Sequence, residues 1–298
     1  MRLALPLLAL MLLTAPALAQ ETVPAEPAVP TSCETLFDFA PYAERGPRTT
    51  IETTADGCRF TDFFAGSTKY DRFRIGSLTL SAPGLFEALA NGLPPPAASV
   101  ALTGIASAPR LDDPLHEYII ELQSAPFDVT LGYHWDAEAG TLSIDEASLS
   151  SPALGRLMVS GRLAGIHADA LTVAESGTLP PVALHEAELM LDNKAFVPSF
   201  VAPYLISLLS RDEDPRAQVA RYQQQFDAVL QGLPDTLIDA QSKAVLSGFI
   251  FSFPHPTGIH TIHLQSDQGI GLETLLSGKA MELLTQPGAL TVTASHSE

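Results

Sequence analysis

Three histidines, His255, His260 and His263, lie within nine residues and are the best candidates for metal ligands or acid/base groups. Imidazole nitrogens bind transition metals and exchange protons near neutral pH. However, the segment HPTGIHTIH reads as a β-strand, and His260 and His263 are an odd number of positions apart, so they point to opposite strand faces. No carboxylate lies inside the segment. The pattern favours ordinary strand histidines, and we predict neither a metal site nor another cofactor.

Paired carboxylates and activated nucleophiles are the other chemistries to consider. A glycosidase needs two facing carboxylates, whereas Asp145 and Glu146 are adjacent and alternate across a strand. The acidic residues 212–214 precede a helix, and the helix dipole stabilises carboxylates at this end. This accounts for them without a catalytic role. The sequence contains no Gly-x-Ser-x-Gly elbow, Ser-x-x-Lys motif or Walker loop. We therefore predict a protein that is not an enzyme; a hydrolase that uses the three histidines is a minor alternative.

Cys33 and Cys58 are the two cysteines of the chain. An isolated pair in an oxidising compartment is expected to form a disulfide. A redox couple is usually spaced Cys-x-x-Cys, and a tight metal site needs more than two ligands, so both alternatives are disfavoured. A bridge that encloses a loop of this length should contribute about 3 kcal/mol to stability, mainly by restricting the unfolded chain.

The N-terminal residues predict export to the periplasm. Residues 3–13 are almost entirely Leu, Ala and Met, and residues 17–19 (Ala-Leu-Ala) match the small-x-small pattern that signal peptidase requires. We predict a cleaved signal peptide over residues 1–19. The alternative, an uncleaved membrane anchor, is disfavoured because the apolar run is shorter than the ~20 residues needed to span a bilayer.

Residues 20–31 are rich in Pro, Ala and Glu and predict a disordered spacer. Residues 32–298 predict a single domain, with no later segment apolar enough to be an integral membrane span. The chain carries 16 Lys and Arg against 34 Asp and Glu, a formal net charge of −18. This charge repels phosphate backbones, which excludes nucleic acid as a partner, and it disfavours electrostatic binding to anionic lipid surfaces.

Apolar residues alternate with period two through the middle of the chain. Residues 127–135 (FDVTLGYHW), a turn at 136–140 and an extended run at 141–144 predict a β-hairpin. Residues 155–166 and 182–191 alternate in the same way. Repeated strands with one apolar face predict an antiparallel sheet that is covered on one face.

Helical patterns follow over residues 194–250. Residues 194–209 are apolar on most sides and contain two prolines, which predicts a kinked or broken helix. Asp214 and Pro215 predict a helix start, and Gly232 its end. Asp235 predicts the cap of a third helix, followed by phenylalanines at period two. The predicted fold class is therefore α+β: a large curved antiparallel β-sheet covered on one face by this helical segment.

Bulky apolar residues on the first of these helices predict a groove. The candidates are Phe196, Phe200, Tyr204, Leu205 and Leu208. With the apolar face of the sheet, they could line a groove for an acyl chain or for an apolar segment of a partner. The alternative is that they are core residues.

From about Arg74 to Ser295, the chain resembles uncharacterised periplasmic proteins of alphaproteobacteria and, more distantly, AsmA-like envelope proteins. The resemblance depends on residues 141–166 (TLSIDEASLSSPALGRLMVSGRLAGI) and 182–196 (VALHEAELMLDNKAF). It implies a β-rich protein of the cell envelope, with lipid handling in some members, and it carries over no catalytic residues. AsmA-like proteins are longer and keep a membrane anchor, so a bridge-like transport role is not expected.

These observations predict a non-enzymatic periplasmic protein that binds a lipid-like apolar ligand or an envelope partner. The main alternative is an interaction or scaffold protein of the envelope that has no ligand pocket.

Overall fold

A computed structural model of the protein describes residues 29–168, 182–271, 274 and 290–298. The predicted signal peptide and most of the predicted spacer lie outside the described residues.

The described residues form one open sheet in which ten antiparallel strands are paired in chain order. The strands are β1 (Ala43–Thr54), β2 (Gly57–Ala65), β3 (Phe73–Ser81), β4 (Ala97–Ser107), β5 (Phe127–Asp136), β6 (Thr141–Ser151), β7 (Gly155–Ala164), β8 (Ala183–Asn193), β9 (Ile259–Gly271) and β10 (Thr291–Ser297). Register shifts interrupt six of the strand pairs. Such bulges bend and twist strands, which fits the curved antiparallel sheet that the alternation predicts.

The strand register places apolar residues in continuous rows across one face of the sheet, called the apolar face below. One row joins Phe60, Leu78, Leu102, Val129, Leu149, Leu157 and Leu191. The next row joins Cys58, Leu80, Val100, Leu131, Ala147, Val159 and Leu189. The opposite face is more polar, with Thr79, Thr130, Ser148, Ser160 and Glu188. The alternation in sequence thus produces two chemically different faces.

Two short helices, α1 (Cys33–Phe39) and α2 (Leu85–Ala90), pack at the β1–β4 end of the sheet. Ser32 and Thr35 form a capping box that starts α1. Phe37 on α1 contacts the ring of Phe60, with the ring centroids 5.6 Å apart. Nearby, Cys33 and Cys58 form the predicted disulfide, with their Cα atoms 5.6 Å apart. These residues belong to the buried N-terminal core.

Two longer helices, α5 (Pro215–Gly232) and α6 (Ala240–Ser252), pack at the β9–β10 end. Their core contains Leu230, Leu237, Ile238, Ile270 and Leu290, with Leu246, Ile250, Leu264 and Val292 partly buried against it. The buried Ser242 hydroxyl accepts a hydrogen bond from the Ala294 amide at 2.9 Å and ties α6 to β10. The sequence predicts that this helical segment covers one face of the sheet. For the strands that lie between the two cores, that coverage stays a prediction.

Two helix boundaries test the helix signals of the sequence. Asp214 accepts a hydrogen bond from the Arg216 amide at 2.8 Å, and α5 begins at Pro215, as predicted. The predicted cap at Asp235 is wrong: Asp239 is the N-cap of α6. The residues between Asp235 and Asp239 are held against the sheet, because Ile238 forms a β-bridge with Val292 on β10. This bridge covers part of the free edge of β10.

Two further helical segments lie at one end of the strands. Helix α3 (Pro114–Gln123) connects β4 to β5. After β8, a π-helical turn (Val197–Val201) leads into the short helix α4 (Ala202–Ser207), which is the break that the prolines predict. The buried side chain of Asn193 starts this segment by accepting the Val197 amide at 2.8 Å and donating to the Pro256 carbonyl.

Candidate functional site

The three predicted histidines do not converge on one site. His255 is exposed in the turn before β9, whereas His260 and His263 lie on β9 and face opposite sides of the sheet. His263 contacts Glu186 on the polar face, with 3.1 Å between Nε2 and Oε1. His260 stacks on His296 with ring centroids 4.6 Å apart. Within the described ranges, no group of His, Cys, Asp or Glu residues has the spacing to hold a metal ion.

The adjacent carboxylates Asp145 and Glu146 have separate partners. Asp145 contacts His134 at 2.8 Å on the exposed surface. Glu146 accepts hydrogen bonds from Ser148 and, at 2.7 Å, from Arg156. These two bonds outweigh partial burial and lower the pKa of Glu146 from its ordinary value. A carboxylate held ionised in this way is a poor general acid, so the pair does not have the arrangement of a glycosidase.

A depression of about 240 Å³ near the start of β1 is lined by four charged side chains, Glu44, Lys69, Arg72 and Arg110. Glu44 lies there between Arg72 and Arg110, at 3.0 and 2.9 Å. The hydrogen bond from Arg72 is the largest of the effects that lower the pKa of Glu44. Lys69, which also lines the hollow, pairs with Asp112 at 2.6 Å, so each of these cations has a carboxylate partner.

A wider depression of about 690 Å³ lies between α2 and the end of β5. Trp135 lines it from the apolar face and donates from its Nε1 to the Ile166 carbonyl at 2.7 Å. Pro83, Leu93 and Pro96 also line it. The lining supplies mostly aliphatic and ring carbon atoms, so this depression suits apolar contacts better than acid/base chemistry.

The predicted groove residues lie on the π-helical turn and α4. Phe196 and Phe200 contact each other, with ring centroids 5.6 Å apart. Phe200, Tyr204, Leu205 and Leu208 are exposed. They form a protruding apolar helix, and the described contacts do not join them into the wall of a closed groove. Their role in ligand binding stays a prediction.

The strand register reveals one further candidate surface, in the middle of the apolar face. This surface is called the central patch below. It consists of Leu131, Leu149, Leu157, Val159, Leu189 and Leu191 on β5–β8. None of the six belongs to either core of the described residues. Val159 and Leu189, which pair with each other on β7 and β8, are each 38% exposed. Side chains of this kind under a packed layer, such as Ile270 at 2%, are almost fully buried.

Backbone geometry at one end of β7 and β8 holds this patch in place. Gly155 begins β7 with a φ of +99°, and a Cβ there would lie 1.9 Å from the Asp192 carbonyl oxygen. Glycine is therefore required for the close approach of β8. The neighbouring Leu154 carbonyl accepts amides of Lys194, Ala195 and Phe196 at 3.0–3.2 Å. The same turn thus aligns the patch strands and positions the start of the π-helical segment.

Comparison with known proteins gives no family assignment: neither a protein-family model nor a curated protein matches the chain. Among the described helices, none is both long and apolar enough to cross a membrane. The Cys33–Cys58 disulfide is consistent with an exported protein.

Proposed function

We propose that this protein is a non-enzymatic periplasmic binding protein that holds a lipid-like apolar ligand on the central patch. The observation that carries the proposal is the exposure of Val159 and Leu189, on β7 and β8, in a continuous apolar row. A contiguous exposed apolar patch on a protein surface is typical of a binding site. The disulfide and the predicted signal peptide support the periplasmic location.

The dimensions of the patch suit an extended hydrocarbon chain. Strands lie ~4.8 Å apart, so the four strands β5–β8 present an apolar strip roughly 15 Å wide. Each CH₂ group that leaves water for such a surface contributes about 0.8 kcal/mol. Several methylenes in contact with Leu157, Val159 and Leu189 would therefore give measurable binding without any charged contact. Trp135 and the depression beside it lie at one border of the strip and could extend it.

The second candidate function is that of an interaction or scaffold protein of the envelope. It is favoured by an apolar stripe on α3, where Leu115, Tyr118, Ile119 and Leu122 follow helical spacing and are all exposed. Such a stripe is the kind of surface that packs into a partner's groove. This candidate predicts a bare protein that cross-links to one specific envelope protein.

Native mass spectrometry of the periplasmic protein, purified without detergent, tests the two candidates. We expect extra mass that is removed by organic extraction and that matches a lipid. The double variant Val159→Asn/Leu189→Asn should lose this mass, because two amides would need partners beneath an apolar ligand. The control Ser160→Asn lies next to Val159 on the polar face and should retain the ligand.

The unmodified polypeptide mass in the wild type would contradict the ligand proposal and favour the scaffold. Loss of ligand from the Ser160→Asn control as well would show that the effect is structural. A near-ultraviolet circular dichroism spectrum of each variant, compared with the wild type, reports whether the tertiary packing is intact.

A further inference from the structure

Helix α4 is exposed to water around most of its circumference. Residues 203–208 are six consecutive exposed positions, and they include Leu205, Ile206 and Leu208. Leu208 is 66% exposed. The segment is held at its beginning by the buried side chains of Val197 and Ala202. A surface helix normally buries an apolar stripe and presents polar residues to water. Helix α4 instead presents apolar residues to water around most of its circumference.

The charge distribution around α4 is also unusual for this protein. Residues 195–210 contain no Asp, Glu, Lys or Arg, although the whole chain has 34 acidic residues. The segment is bounded by the exposed cationic residues Lys194 and Arg211, beyond which lie the carboxylates of Asp192 and of residues 212–214. Basic side chains at the ends of an apolar segment can extend their charged groups toward phosphates while their methylenes stay in apolar surroundings. The segment therefore has an uncharged apolar middle and ends that carry both signs of charge, as zwitterionic headgroups do.

We propose that α4 and the π-helical turn before it insert into the interfacial region of a lipid bilayer without net charge. An amphipathic or apolar surface helix binds there by burying its side chains among the acyl chains just below the headgroups. Exposure around the helix favours this medium over a protein groove, because a groove covers one stripe of a helix and a bilayer surrounds it. The net charge of −18 disfavours an anionic surface and selects a zwitterionic one.

The position of α4 connects this surface to the proposed ligand site, and this part of the inference rests on the proposed function. Asn193 ends β8 and starts the helical segment, and Leu154 in the β6–β7 turn binds its first amides. Helix α4 thus leaves the sheet at the same end of the strands that carry Val159 and Leu189. Insertion of α4 would bring this end of the central patch to the membrane surface, where a lipid could enter or leave.

Flotation with phosphatidylcholine vesicles tests the docking surface directly. The wild-type mature protein should float with the vesicles, and its binding should persist between ~0.1 M and ~0.5 M salt because the contact is apolar rather than electrostatic. The variant Leu205→Ser/Leu208→Ser should bind the vesicles about tenfold more weakly or worse, since two large apolar side chains are lost. Both residues are exposed, so the variant should fold like the wild type.

The control Tyr222→Ser/Phe226→Ser changes two exposed apolar residues of α5 and should float like the wild type. Three results would overturn the inference: a wild type that does not float, a control that loses as much binding as the α4 variant, or a wild type whose α4 mediates self-association by size-exclusion chromatography. The Val159→Asn/Leu189→Asn variant separates this inference from the proposed function. It should still float while retaining no ligand.

Discussion

Two regions of the apolar face differ sharply in burial although both consist of apolar side chains. Phe60, at the β2 end, is 4% exposed beneath α1, whereas Val159 and Leu189 in the neighbouring row on β7 and β8 are 38% exposed. The apolar rows run without a break between the two regions, because the register shifts lie outside them. The difference therefore comes from the layer above the sheet and not from the strands.

Under the proposed function, this difference separates stability from ligand binding within one sheet. The N-terminal core combines α1, an aromatic cluster around Phe37 and a disulfide. Burial of apolar side chains is the main favourable contribution to folding, so this region should contain much of the stability. The central patch contributes less to folding because its side chains keep contact with water. Its apolar surface remains available for a ligand.

The largest expected effect is therefore a contrast between two alanine substitutions. Phe60→Ala should lower the free energy of unfolding by about 3–5 kcal/mol, because it leaves a cavity in a packed core. Leu189→Ala should lower it by only about 1 kcal/mol or less, since the side chain is already partly in water. Urea titrations of both variants, followed by circular dichroism, measure the difference.

Ligand-free protein is needed for this comparison, because a bound lipid would itself stabilise the wild type. Equal losses of stability in the two variants would mean that a further layer covers Leu189, and the central patch would then be part of the core.

The disulfide should have the next largest effect. Replacing both Cys33 and Cys58 by serine opens a loop of 25 residues and should lower the free energy of unfolding by about 3 kcal/mol. The loss should be confined to stability: ligand retention by the central patch should remain at wild-type level in dilute urea-free buffer. If the double-serine variant is as stable as the wild type, the N-terminal region is not the stable end that the comparison requires.

The strands of the middle of the sheet could be predicted from sequence because their signal is local. The alternation from Phe127 to Trp135, followed by turn residues, is sufficient for the β5–β6 hairpin that the structure contains. The helix start at Asp214 and Pro215 is equally local, since a cap bonds an amide two residues away. The pairing of the two cysteines follows from their number alone.

The candidate site depends on information that is not local. The exposure of Val159 depends on which helices cover β7. This cannot be read from the residue type of Val159 or from its neighbours in the sequence. The misplaced cap has the same cause: Asp235 has the chemistry of a cap, but Ile238 pairs with Val292 on β10 and delays the helix to Ala240. Asn193 was not a sequence candidate, and only the contacts of its side chain reveal that it positions α4.

The smallest expected effect concerns His260, at the border between the central patch and α6. It follows Leu191 in the same row and packs against Phe249 of α6, with ring centroids 4.8 Å apart. Its Nε2 donates to the Thr257 carbonyl at 3.0 Å, whereas its buried Nδ1 has no partner. Burial is the main cause that lowers the pKa of His260 from its ordinary value of 6.5, and the nearby His296 adds to it.

The lowered pKa fixes the sign of a pH dependence. As the pH falls from about 7.5 through 6.5, the unfolded chain binds a proton that folded His260 resists, so the free energy of unfolding decreases. The carboxylates with lowered pKa values, such as Glu44 and Glu146, lose their contribution only at lower pH, below about 4.5. His260→Phe keeps the aromatic contact and should reduce the dependence of the free energy of unfolding on pH near neutrality. His255→Phe, at an exposed position, should not reduce it. Chemical denaturation at several pH values measures these slopes, and an unchanged slope in His260→Phe would show that the α6 border is not pH-sensitive.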